Sequence, residues 1–124
     1  MKRRLNISDA EWEVMQIVWE RAPVPASDIV ERLERKKTWH ARTTRTLIDR
    51  LVRKGALRTE LEGKRFLFWP KIGKEECVQK ESHSFLERVF RGEPAAMLIH
   101  LVKQTEFSPE EIQELQQILS EKKD

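Results

Sequence analysis

The stretch "HARTTRTLIDRLVRKG", residues 40–55, holds four arginines and one lysine against a single acid, and an apolar row runs through it. Ala41, Thr44, Leu47, Ile48 and Leu51 recur at three- and four-residue spacings with Val52 at their margin, which predicts a helix from His40 to Lys54 with one side in a core. The opposite side carries Arg42, Thr43, Arg45, Thr46, Asp49, Arg50 and Arg53, and Gly55 is placed to close the helix. Taken alone, such a face is a solvated surface, because Asp49 stands four residues from both Arg45 and Arg53 and can pair with either. The neighbouring elements decide whether the charge has another use.

Upstream, "SDAEWEVMQIVWE", residues 8–20, opens with Ser8 and Glu11 at the spacing of a capping box. Trp12, Met15, Val18 and Trp19 then form a stripe, while Glu13, Gln16 and Glu20 face water. "RAPVP", residues 21–25, breaks this first helix, since proline lacks a backbone donor and restricts the residue before it. A second helix is expected from Ser27 to Lys36, with Ile29, Val30 and Leu33 on its apolar side, and "ERKKTW" turns out of it.

Downstream, "ALRTELEGKRFLFWP", residues 56–70, reads as a β-hairpin about a Glu62-Gly63 turn. Leu57, Thr59 and Leu61 share one face of its first strand, and Phe66 and Phe68 share one face of the second. Lys64 and Arg65 sit at the tip, and Pro70 ends the second strand where a missing N–H costs little. Three helices followed by a basic-tipped hairpin is the order of a winged helix-turn-helix, and residues 1–70 suffice for it. The fold class is thus mainly α with a small β-hairpin wing.

Residues 71–124 return to a helical pattern, with Val78, Phe85, Leu86, Val89 and Phe90 apolar in an otherwise polar helix. "RGEP" interrupts it. "AAMLIHLV", residues 95–102, is apolar nearly all round and calls for burial on most sides. In the last helix Ser108 caps, Pro109 takes the first position, Glu111 completes a capping box, and Ile112, Leu115, Ile118 and Leu119 form a stripe. This tail is too short to enclose a core unaided. We expect a helical dimerisation region in which two copies interleave about a two-fold axis, through Phe85, Val89, Met97, Leu98, Leu101, Val102, Ile112, Leu115 and Leu119.

Composition supports this division. Of 124 residues, 36% are charged and 39% hydrophobic, as in a folded helical protein with a highly charged surface. The net charge of +3 is unevenly spread: residues 1–70 hold 16 Lys and Arg against 10 Asp and Glu, whereas residues 71–124 hold 8 against 11. The basic part suits a polyanion. No apolar run approaches the roughly 20 residues of a membrane span, and "MKRRLNISDAEW" has no apolar segment behind its basic residues, so a cytoplasmic protein is expected. The single cysteine, Cys77, leaves no intramolecular disulfide. It lies six residues from His83, too sparse a pair for a metal site, so a buried thiol, an exposed imidazole and no cofactor are expected.

A helix fits the major groove of DNA, where arginine can donate two hydrogen bonds to guanine and threonine offers a hydroxyl and a methyl. Residues near the start of the recognition helix reach base edges in such modules, which points to Arg42, Thr43 and Thr46. Arg45 suits bases or phosphates. Arg50, Arg53 and Lys54 are expected to grip phosphates, and Lys64 and Arg65 to touch the backbone or an adjacent minor groove.

"SDAEWEVMQIVW", Trp39, "TTRTLIDRLVRKG", "FLERVFRGEPAAMLIHLV" and "FSPEEIQELQQIL" together resemble the penicillinase repressor family, also called BlaI/MecI, over nearly the whole chain. The resemblance implies a homodimeric winged-helix repressor that binds a palindromic double-stranded DNA operator, here of resistance or stress genes. In well-known members a regulatory protease relieves repression by cutting an Asn-Phe pair in the second tail helix. The matching place is His100-Leu101, so the pair is not preserved. Copper-responsive relatives carry a cysteine-rich C-terminal motif, which "QQILSEKKD" lacks.

Two other function classes compete with a repressor. An enzyme finds no support: the sequence has four glycines, no phosphate-cradling loop, no metal-ligand cluster and no nucleophile-base spacing. A winged-helix protein-interaction module without sequence-specific DNA contact has the same fold. Charge reversal at Arg42 or Arg45 separates it from a repressor.

Overall fold

A computed structural model of the chain describes residues 6–123. The basic start, residues 1–5, lies outside the described residues. Helix α1 spans Asp9–Arg21, and strand β1 is the short Val24–Pro25. Helices α2, Ala26–Lys37, and α3, Ala41–Lys54, follow. Strands β2, Leu57–Glu62, and β3, Arg65–Pro70, form the hairpin, and helices α4, Lys74–Phe90, α5, Pro94–Gln104, and α6, Pro109–Lys122, complete the chain. The first six elements make a winged helix-turn-helix. The chain divides into two compact units after Val78, inside α4.

In the first unit, Ser8 caps α1 in a reciprocal box with Glu11, as its spacing predicts. Val14, Met15 and Val18 of α1 meet Ile29 and Leu33 of α2 and Leu47, Ile48 and Leu51 of α3 in one core. Apolar burial of this kind is worth about 25 cal/mol per Å² and holds the three helices together without fixing direction. The α1 stripe differs from the expected one. Val14 and Glu11 are buried, while Trp12 and Trp19 stand half-buried at the margin with ring centroids 5.3 Å apart, edge to face. Trp19 uses its one polar atom, donating from Nε1 to the Ile72 carbonyl at 2.9 Å.

The sheet has the order β1-β3-β2. "RAPVP" thus does more than break a helix: Val24 pairs with Phe68 and Pro25 with Leu67, so β1 covers an edge of the hairpin. Val24 is buried there, and a proline without an N–H is tolerated on an edge strand. The hairpin turn falls on Gly63 and Lys64, one residue later than expected, because Glu62 pairs with Arg65. Gly63 has a φ of +66°, which glycine adopts without a Cβ penalty. Thr59 faces Phe68 and Leu61 faces Phe66, so these four residues share one side of the wing. On the other side the Arg58 guanidinium lies over the Trp69 ring at 4.4 Å and pairs with Glu60.

The first unit extends past the expected boundary at residue 70, because Ile72 and Cys77 are buried against its core. The second unit behaves differently. Capping of α6 follows its spacing, with Ser108 and Glu111 bonded reciprocally and Pro109 in the first turn. No residue of α5 or α6 is buried. Phe85 and Phe90 approach to 6.0 Å between centroids, and His100 stands 5.9 Å from Phe90. Burial of "AAMLIHLV" on most sides is not met within one chain, where only Met97 of this run is half-buried.

Candidate nucleic-acid interface

Helix α3 is the second helix of the helix-turn-helix, and its two faces are separated as its period predicts. Thr44, Leu47, Ile48 and Leu51 are buried, and Arg42, Thr43, Arg45, Thr46, Asp49, Arg50 and Arg53 are exposed. The helix is closed at both ends. His40 accepts a hydrogen bond at Nδ1 from the Arg42 N–H at 3.1 Å, and Gly55 takes a φ of +84° and donates its N–H to the Leu51 and Val52 carbonyls. Gly55 closes the helix where the sequence places it, and His40 stands just before the helix as its cap.

The charge on the exposed face is not consumed within the chain. Among the described residues, none of Arg42, Arg45, Arg50 and Arg53 forms an ion pair, and Asp49 pairs with neither Arg45 nor Arg53. Elsewhere in the unit cations find acids: Arg35 holds Glu31 at 2.7 Å, and Lys37 reaches Glu13 at 3.3 Å. The threonines differ. The Thr43 hydroxyl has no hydrogen-bond partner among the described residues, whereas Thr46 donates its hydroxyl to the Arg42 carbonyl at 2.9 Å and keeps only lone pairs and a methyl to offer.

A concavity of about 410 Å³ opens beside this face. Arg45, Ile48 and Asp49 of α3 form one wall, Arg65, Phe66 and Phe68 of β3 another, and Pro25, Ala26 and Ser27 at the start of α2 the end. Arg45 and Arg65, widely separated in sequence, therefore line one recess. Lys64 stands exposed in the wing turn. Ser27 and Phe66 line this recess too, although the sequence reading does not mark them as site residues. The signal for Phe66 is its exposure, 54%, beside Leu61 at 61% on the wing's apolar side.

Lys54 does not join the arginines. Its ammonium donates to Glu11 Oε1 at 2.5 Å and to the Asn6 carbonyl at 2.6 Å, which turns it toward α1. Glu11 is 2% exposed. Burial by itself would push its carboxyl up, but hydrogen bonds from Lys54 and Ser8 and the lysine's charge hold it below the ordinary value.

The residues expected to dimerise lie on α4, α5 and α6. Met97 and Leu115 are half-buried; Phe85, Val89, Leu98, Leu101, Val102, Ile112 and Leu119 are exposed, as are His100 and Leu101 at the matching cleavage position. Among the described residues no group of three His, Cys, Asp or Glu side chains could hold a metal ion, and no helix is long and apolar enough to cross a membrane. Cys77 is buried and His83 is exposed.

A sequence model of the penicillinase repressor family matches residues 7–121. The penicillinase repressor of Bacillus licheniformis is 37% identical over 123 residues, covering 99% of this chain and 96% of that protein. The methicillin resistance regulatory protein MecI of Staphylococcus aureus (strain N315) is 34% identical over 117 residues, 94% of this chain and 95% of that protein. Among solved structures, the DNA-binding domain of the repressor BlaI in solution superposes with a TM-score of 0.55 at 36% identity, covering 61% of this chain and 93% of that one. The Bacillus licheniformis BlaI monomeric form in complex with the blaP half-operator superposes with a TM-score of 0.54 at 36% identity. With a family model matched from Ile7 to Glu121 and relatives alike over nearly their full length, the chain belongs to the penicillinase repressor family.

Proposed function

We propose that this chain represses transcription as a homodimer, each winged-helix unit reading one half of a palindromic operator. The observation that carries the reading is the unspent charge of α3: four exposed arginines with no acid partner, beside a recess that the wing's Arg65 shares with Arg45. Arg42 and Thr43, at the start of the helix, are assigned to base edges. Thr46 presents its methyl and lone pairs to the same groove. Arg45 and Arg65 suit a strand of the backbone entering the recess, and Arg50, Arg53 and Lys64 suit phosphates on either side. The complex of a relative with a half-operator supports this mode of binding.

The homodimer rests on the uncovered stripes of the second unit, which a second copy would cover on a shared axis. Likeness to regulators of penicillinase and methicillin resistance favours resistance genes as targets. The proposal does not extend to a protease as partner, because His100-Leu101 departs from the cleaved pair.

The test is a fluorescence-anisotropy titration of the full chain on a duplex selected from a random pool and on its scrambled counterpart, at two salt concentrations. A repressor is expected to prefer the selected duplex by more than about 1,000-fold, and Arg42→Glu to abolish the preference. Equal, steeply salt-dependent binding to both duplexes would mean that the module reads charge alone. A protein-interaction module would retain its partner after Arg42→Glu.

A further inference from the structure

The chain contains two capping boxes of the same geometry. In each, the glutamate accepts from the serine N–H at 2.9 Å and the serine oxygen accepts from the glutamate N–H at 3.1 Å. At α6 the box is exposed, and Glu111 makes no ion pair among the described residues. At α1 the glutamate is sealed, and a lysine from the far end of α3, 43 residues away, is brought onto it. The lysine is thus not a requirement of capping. It adds a second function to Glu11.

That addition is costly in isolation. A carboxylate at 2% exposure is desolvated, and its Oε2 has no hydrogen-bond partner among the described residues. Such a pair is a weak source of stability compared with apolar packing of similar volume, but it is directional. Apolar packing through Leu47, Ile48 and Leu51 is non-directional, whereas two hydrogen bonds of 2.5 and 2.6 Å from one ammonium fix the position of the helix end. The Asn6 carbonyl ties the segment before α1 into the same point.

We propose that Lys54 is a positioning residue of the DNA-reading helix: bonded to Glu11 and Asn6, it locks the end of α3 to the start of α1. The lock sets the angle at which Arg42, Thr43 and Arg45 meet the groove. This rests on the DNA-binding reading and departs from the sequence-based expectation that Lys54 grips a phosphate. Base readout depends on the placement of short side chains, so a small rotation of α3 reduces discrimination more than general affinity.

The experiment measures, for the full chain, affinity for the selected and scrambled duplexes across a salt series, together with Tm, for wild type, Lys54→Met, Glu11→Gln and the double variant. Positioning predicts that each single variant lowers the selected-to-scrambled ratio about tenfold, within the range for groups in one network, and that the double variant is no worse than the poorer single one. The salt slope stays at its wild-type value. A phosphate contact predicts instead that Lys54→Met alone flattens the slope by about 0.9 per protomer with the ratio intact, which overturns the proposal. A fall in Tm with ratio and slope unchanged also overturns it, since the pair would then be only a structural tie. If either single variant fails to fold, Lys54→Arg decides: a retained cation that cannot reproduce both short bonds must lower the ratio while leaving the slope unchanged. A wild type that prefers no duplex would instead remove the DNA-binding reading itself.

Discussion

Leu51 of α3 and Leu119 of α6 occupy equally regular apolar stripes, yet Leu51 is fully buried and Leu119 is 52% exposed. The same contrast runs through both units. In the first, three helices and the base of a three-stranded sheet turn their apolar sides inward, leaving Leu61 and Phe66 of the wing exposed and the outer face of α3 to charge. In the second, the stripes of α4, α5 and α6 remain open, with Phe85, Val89, Leu98, Ile99, Leu101, Val102, Ile112, Ile118 and Leu119 between 40 and 54% exposed. Soluble monomers rarely carry so much apolar surface on successive elements. The first unit closes its own core and leaves a charged face open, whereas the second leaves its apolar stripes open.

The sharpest way to break this contrast is to charge the second unit. Leu98→Asp is expected to convert a dimer to a monomer in sedimentation and, by uncoupling two half-site contacts, to lower affinity for a full operator by about 10² to 10⁴-fold. Affinity for an isolated half-site should be unchanged. A variant that sediments as a dimer would refute the assignment of α5 to the interface.

A pair of truncations compares the two stripes directly. Leu51→Ala should destabilise the first unit by about 2 to 5 kcal/mol in chemical denaturation, the cost of a cavity in a packed core. Leu119→Ala should leave that transition unchanged at any concentration and act only on the dimer dissociation constant. Equal losses from both would mean that the second unit is packed in the single chain.

On the charged face, the first-turn and last-turn arginines should differ in kind. Arg42→Ala is expected to cost about 1 to 3 kcal/mol and to relax specificity at one operator position. Arg53→Ala should weaken all sequences alike and flatten the salt dependence by about 0.9 per protomer. Anisotropy against a panel of single-position operator variants distinguishes them.

How far the sequence could be read follows the same division. The two faces of α3 were legible from "HARTTRTLIDRLVRKG" because a 3.6-residue period sorts apolar from charged side chains locally, and both capping boxes were legible from three-residue spacings. Strand β1 was not, since two residues, one of them proline, carry no period. Nor was the burial of Val14 in place of Trp12 and Trp19. A helix that packs against both α2 and α3 has its inward face set by its neighbours, and bulky indoles fit its margin. Lys54 reads as one more cation on a basic helix because its partner is remote in sequence and comes near only in the fold. The open stripes of the second unit were legible as apolar and as too short to close on themselves, which is as far as a single chain's sequence extends.

The smallest expected effect concerns the seam inside the first unit. Glu11 has its carboxyl held below the ordinary value of 4.5, so its contribution to stability is present above that pH and is lost as pH falls through the lowered value. The Tm difference between wild type and Glu11→Gln should therefore be largest near neutrality and shrink below pH 4.5. Glu111, the corresponding residue of the exposed box, pairs with no lysine among the described residues, and Glu111→Gln is the control for a capping carboxylate without one. Thermal melts of the three proteins between neutral and acid pH measure this. A Glu11→Gln difference that stayed constant through acid pH would mean that the carboxylate's charge does nothing for the fold, and that Ser8 and Lys54 are equally well satisfied by an amide oxygen.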